Sequence, residues 1–161
     1  MRHYADRLES PPLGGQLLRG YLSGSIDLVL RVPDRPASEA SAGGHRYVVV
    51  DYKTNKLGDP QRPLTALDYT PELMTEAMVH SHYPLQALLY SVVLHRYLRW
   101  RLPGYDPQLH LGGILYLYVR GMCGPETPEV DGAPCGVFAW HPPAAMVLEI
   151  SELLAGEVAL A

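Results

Sequence analysis

The sequence predicts an α/β fold in which a mixed central sheet is flanked by helices. Three observations predict it. Residues 21–30 and 47–53 are short runs rich in Val, Ile, Leu and Tyr, the composition of strands, and residues 112–119 form a third such run. Between the second and third lie two stretches with helical spacing and punctuation, residues 71–82 and 84–101. Two strands, two helices and then further strands fold most simply as a sheet with helices packed on it. At 161 residues and 47% hydrophobic, the chain fills one core, so a single domain is expected.

The first 19 residues carry little pattern. Charged positions give way to Pro11-Pro12 and Gly14-Gly15, which read as a linker with a short helix at most, and the domain is expected over residues 20–161. In the first strand, Ile26, Leu28 and Leu30 share one face, and Asp27 lies on the other between Ser25 and Val29. A carboxylate inside such a strand is seldom buried without a partner. Residues 32–44 are rich in Pro, Ser, Ala and Gly and form a solvent loop. If the strands on either side pair as a hairpin, Asp27 and Asp51 converge. The second strand, Tyr47-Val48-Val49-Val50-Asp51-Tyr52-Lys53, ends with Asp51 and Lys53 pointing the same way, roughly 6–7 Å apart.

Thr70 is the expected N-cap of the first helix and Pro71 its first residue, with the end near His82. Pro84 suits the first turn of a second helix that runs to about Arg101, where Leu102-Pro103-Gly104 stops it. Leu85, Leu88, Leu89, Val92, Val93 and Leu94 are its expected buried stripe. Gln86 and Tyr90 stand four residues apart and so share a face. In the third strand, Tyr116 and Tyr118 also share a face, which either packs under the second helix or stacks on bases. Residues 136–140 make a short further strand at an edge, and residues 144–154 a final amphipathic helix.

Composition narrows the function. A formal net charge of -4 argues against a free-standing nucleic-acid binder, although an acidic site needs only a local basic channel. No apolar run is long enough to span a bilayer and no signal-peptide pattern opens the chain. Cys123 and Cys135 lack the further Cys or His of a zinc site and read as structural thiols in a reducing cytoplasm, a disulfide being unforced. His80, His82 and His95 have no paired ligand at a metal-binding spacing. Arg96, Arg99 and Arg101 are the best local basic cluster, and Lys56 follows the second strand closely; each also fits a plain solvated surface.

Two carboxylates at close range repel unless one takes a proton or a cation sits between them. Oxygen ligands without Cys or His suit a hard divalent ion, Mg²⁺ or Mn²⁺.

Five ordered segments resemble a known family. Gly24-Ser25-Ile26-Asp27 and Val49-Val50-Asp51-Tyr52-Lys53 look like the core of the PD-(D/E)XK (restriction-endonuclease-like) nuclease superfamily. The flanking residues 20–29 and 50–58, with residues 83–90, 94–99 and 112–121, resemble the C-terminal nuclease domain of RecB subunits of the bacterial RecBCD helicase–nuclease. Gln86 and Tyr90 match the Q-x-x-x-Y motif of that group. The resemblance implies that Asp27, Asp51 and the carbonyl of Tyr52 hold Mg²⁺ (or Mn²⁺). It implies that Lys53 orients the attacking water or steadies charge on the phosphate, with Gln86 and Tyr90 beside it. The reaction would be phosphodiester hydrolysis of single-stranded DNA delivered by a helicase during double-strand break repair. RecC-like and RecD-like subunits and the helicase part of its own chain would be the partners. The family also has upstream helices that supply an acidic or histidine ligand. Nothing before Gly20 matches them, though His3 and Glu9 are available, so the domain is expected to lack those helices. The competing readings are a silent scaffold on the same fold, or a stand-alone nuclease of the superfamily. Against a Cas4-like member, two cysteines fall short of the four an iron–sulfur cluster needs.

Overall fold

In a computed structural model, residues 23–33 and 44–155 are described, together with Tyr4, Asp6, Leu8 and Glu9. The expected linker between residues 10 and 19, His3, the tip of the loop after the first strand and the last six residues lie outside them.

Four strands form the main sheet in the order β1-β2-β3-β6: β1 (Leu28–Pro33), β2 (His45–Lys53), β3 (Leu111–Tyr118) and β6 (Val137–Trp140). β1 pairs antiparallel with β2, β2 parallel with β3, and β3 antiparallel with β6, so the sheet is mixed as the element order predicts. The parallel step requires a crossover. It is made by α1 (Pro71–His80) and α2 (Tyr83–Arg101), and α3 (Ala144–Ala155) closes the chain's described part against α2. A small hairpin of β4 (Glu129–Val130) and β5 (Ala133–Pro134), turning at Asp131 and Gly132, both at positive φ, was not legible beforehand.

Three sequence expectations need correction. The first strand starts at Leu28, so Asp27 precedes the strand instead of standing in its middle, and Asp27 is exposed. Leu28, Val29 and Leu30 are 38%, 39% and 37% exposed, because β1 is an edge strand with a neighbour on one side only. The buried stripe of α2 is Pro84, Ala87, Ser91, Val92, Leu94, His95 and Leu98; of the expected stripe Val92 and Leu94 are buried, Leu88 and Leu89 half-buried, and Leu85 and Val93 face outward. The expected stripe was too wide and missed Ala87 and Ser91, small residues where the helix packs against the sheet.

The two helices separate where His82 takes φ 56, a left-handed conformation that α1 cannot continue through. Thr70 caps α1 as expected, its hydroxyl accepting from Leu73 N. One turn earlier Asp68 does more: it is buried, accepts from Thr65 N at 2.8 Å and from the Thr65 hydroxyl, and is forked by Arg62. Between β2 and β3 the register slips by one residue near Gly113, whose φ of +85 and 2.6 Å approach of a hypothetical Cβ to Trp140 O leave room for glycine alone.

The core lies between sheet and helices. Val49, Ile114, Tyr116 and Tyr118 from the strands meet Tyr69, Met74, Met78, Ala87, Leu94 and Leu98 from the crossover. Tyr116 and Tyr118 are fully buried, which rules out base stacking and leaves packing under α2.

Candidate active site

The alternation of β2 decides which of its polar residues are buried. Val49, Asp51 and Lys53 face the helices and are 0%, 4% and 8% exposed, whereas Tyr52 between them is 48% exposed. Asp51 and Lys53 therefore share one pocket wall, and their parallel neighbours on β3, Tyr116 and Tyr118, supply the rest of that wall.

Asp27 reaches the end of β2 from the residue just before β1. The antiparallel register ends with Leu28 paired to Val50, which leaves Asp27 beside Asp51-Tyr52. Its Oδ2 accepts a hydrogen bond from the backbone N–H of Tyr52 at 3.1 Å, which holds the carboxylate against the end of β2. The Tyr90 phenol lies within the field of both carboxylates. Burial pushes that phenol's pKa up, the Gln86 bond opposes it, and the negative charges of Asp51 and Asp27 both add to the rise.

α2 closes the pocket. Lys53 Nζ donates to Gln86 Oε1 at 3.0 Å, and Gln86 Nε2 donates to the Tyr90 hydroxyl at 3.0 Å. Tyr116 OH stands within donating distance of both Tyr83 O, at 3.1 Å, and Gln86 Oε1, at 3.2 Å, and its pKa is raised, by burial first and by Asp51 next. Lys53 Nζ lies 2.7 Å from Asp51 Oδ2, so the buried carboxylate is compensated by an ion pair with the lysine and makes no other hydrogen bond through that oxygen.

The carboxylates of Asp27 and Asp51 are hard oxygen donors of the kind a divalent cation takes. No group of three or more His, Cys, Asp or Glu gathers among the described residues, so Glu9, which is exposed, does not complete the pair. A cation held by two carboxylates would keep several waters, which is the habit of Mg²⁺.

Two participants escaped the sequence reading. Tyr83 presents its ring 3.8 Å from Lys53 Nζ, stacks on Tyr116 at 5.8 Å, and sends its hydroxyl to Asn55 Oδ1 at 3.3 Å. Its signal was spacing: Tyr83, Gln86 and Tyr90 recur at helical intervals along one face. Asn55 belongs to the loop after β2, which Tyr69 OH (to Asn55 O, 2.9 Å) and Arg120 Nε (to Thr54 O, 2.8 Å) also hold. Nothing local in Thr54-Asn55 announces those distant donors.

Other candidates sit elsewhere. Arg96 binds the Oγ and O of Ser151, locking α2 to α3, so the basic cluster is not wholly free for phosphate. His95 is buried with Nδ1 3.0 Å from Tyr105 OH, and its pKa is lowered by burial, then by Arg99 and Arg96. His82 packs against Tyr4, and His80 and Lys56 are exposed. Cys123 is exposed, Cys135 buried, and both are free. No helix among the described residues is long and apolar enough to cross a membrane.

No protein-family model matches the chain. Across 154 residues, 96% of the chain, it is 61% identical to the RecBCD enzyme subunit RecB of Mycolicibacterium smegmatis. Identity to the protein of that name is 62% over 151 residues (94% of the chain) in Mycobacterium tuberculosis and 37% over 146 residues (91%) in Escherichia coli. The chain spans only 13%, 12% and 10% of the lengths of these three relatives. The likeness to RecB that the five segments suggested therefore extends over nearly the whole chain.

Proposed function

We propose that this RecB-like segment is a metal-dependent DNA nuclease centre serving a RecB-type helicase–nuclease in double-strand break repair. The observation that carries the reading is the buried Asp51–Lys53 ion pair, tied to Gln86 through the lysine, with the Asp27 carboxylate anchored on the neighbouring Tyr52 N–H. Buried charges gathered at one strand end, beside a second carboxylate, are a poor scaffold and a good receptor for a cation and a phosphate.

Asp27, Asp51 and the Tyr52 carbonyl would hold Mg²⁺, or Mn²⁺. When bound, the ion acidifies a water and offsets charge on the scissile phosphate. The protein's own part is positional. Lys53 has three N–H groups. One is spent on Gln86 and the ion pair with Asp51 orients the amine, which leaves a donor for a phosphate oxygen or the attacking water. Gln86 is fixed in turn, because its oxygen takes Lys53 within reach of the Tyr116 hydroxyl while its amide donates to Tyr90. The tyrosines and α2 exclude bulk water from the lysine, so its interactions with an incoming phosphate are little screened.

RecC-like and RecD-like subunits belong to this reading through the name RecBCD that the relatives carry. A helicase region of the parent chain, single-stranded DNA as substrate and a cytoplasmic location belong to it through the resemblance of the five segments. The second reading, a fold kept for docking with its chemistry lost, is disfavoured by the complete Asp27, Asp51 and Lys53 set.

The test is cleavage of a single-stranded oligonucleotide with Mg²⁺ against EDTA, for the wild type and Asp51→Ala. We expect cutting only with metal and only by the wild type. Equal cutting by both proteins would remove Asp51 from the mechanism, and no cutting by a folded wild type would favour the docking role.

A further inference from the structure

α2 carries an exposed stripe that begins at the site. Gln86, Tyr90, Val93, Tyr97 and Trp100-Arg101 follow one another at intervals of three or four residues, so they lie along one side of the helix. This side is distinct from the one against the sheet and from the side that Arg96 ties to α3. Past Tyr90 the stripe is open: Val93 is 55% exposed, Tyr97 55% and Trp100 75%. Tyr97 and Trp100 meet edge to face at 6.4 Å, and the Arg101 guanidinium lies 4.9 Å from the centre of the Trp100 ring. From Tyr90 to Arg101 the helix rises about 16 Å.

β1 supplies a facing wall. Register sets Val29 and Arg31 opposite Val49 and Tyr47, on the sheet face whose Val49 lies in the core, with Asp27 just before the strand. Val29 is 39% exposed and Arg31 is exposed at the far end. α2 runs back along β2, so the stripe and the edge strand lead the same way from the acidic pair, toward Trp100 and Arg101 on the helix and Arg31 on the strand. There Arg31 Nη2 also lies 3.2 Å from His45 Nδ1. A strand lying between them would occupy a trough from the acids to these arginines.

We infer that this trough is the path by which a single nucleic-acid strand reaches the site, with bases stacked on Tyr97 and Trp100 and phosphates met by Arg101 and Arg31. It rests on the nuclease reading above. Exposed aromatic faces interleaved with arginine are what sequence-tolerant binding of single strands uses, since every base has a π-face and every linkage a charge. A protein partner would also value Trp, Tyr and Arg. Continuity of the stripe with Gln86 and Tyr90 favours the strand.

The chain has two tryptophans, Trp100 and Trp140. In a Trp140→Phe background, Trp100 fluorescence is titrated with oligothymidylate in EDTA and low salt, where no cleavage occurs. We expect saturable quenching, and binding followed by anisotropy of a labelled oligonucleotide to weaken about tenfold in Trp100→Ala and in Tyr97→Ala. Arg101→Glu and Arg31→Glu should weaken it and flatten its salt dependence. These side chains are exposed, so circular dichroism should stay unchanged. Unquenched Trp100, or unaltered affinity in both aromatic variants, overturns the inference, and if Trp100→Ala instead abolishes self-association the face is a protein contact. The two readings separate cleanly: cutting without quenching sinks the trough alone, and quenching without cutting sinks the nuclease alone.

Discussion

The Lys53 ammonium sits 3.8 Å from the centre of the Tyr83 ring, which lies parallel to Tyr116 within 18°. The lysine is thus held by an aromatic face as well as by Asp51 and Gln86. Replacing Tyr83 with Leu should lower kcat roughly 2- to 30-fold with little change in KM, the range a cation–π contact supports. Tyr83→Phe keeps the ring, loses only the bond to Asn55, and should retain most of the rate. Single-turnover cleavage of an oligonucleotide distinguishes the pair; equal losses in both would assign the effect to the hydroxyl.

Divalent metal should stabilise the fold. A ligand at one hundred times its Kd adds about 2.7 kcal/mol, enough to raise Tm by several degrees in a chain of this size. Mg²⁺ or Mn²⁺ should produce that rise in the wild type and not in Asp51→Ala, as read by thermal unfolding. An unmoved Tm in the wild type would mean that Asp27 and Asp51 hold no divalent ion.

Asp68 predicts an acid sensitivity far from the site. Arg62 first, and then the Thr65 backbone N–H, lower its pKa to about 2 from 3.8. A carboxylate depressed on folding stabilises above its ordinary value and loses that contribution as pH falls through the folded one. The stability gap between wild type and Asp68→Asn should therefore be full at neutral pH and shrink between about 4 and 2. Urea midpoints across that window are the measurement, and a gap that persisted unchanged would discount the ionised fork.

Arg96 is expected to matter for stability and not for nucleic acid. Its bonds to Ser151 Oγ at 3.0 Å and Ser151 O at 2.6 Å join α2 to α3. Arg96→Ala should cost about 1–3 kcal/mol of stability, the scale of charge-assisted hydrogen bonds at a partly open site. Oligonucleotide affinity should stay within twofold of wild type. A large loss of affinity without loss of stability would reverse that assignment.

Local pattern was enough for much of this molecule. Alternation along residues 47–53 set Asp51 and Lys53 on one face, Thr70-Pro71 announced a helix start, and the spacing of Gln86 and Tyr90 placed them side by side. These are properties of a few neighbouring residues, and period and capping chemistry determine them before any long-range contact forms. What the chain's neighbours in space decide was hidden. Pairing with β2 on one side only left β1 exposed and put Asp27 ahead of the strand rather than within it. Close approach to the sheet brought Ala87 and Ser91 into the buried face of α2 and left Leu85 and Val93 outside it, and Tyr83 became a wall of the lysine's pocket only because a crossover returned it there. Burial and partner choice depend on residues tens of positions away, so they are settled by packing, which one-dimensional pattern does not encode.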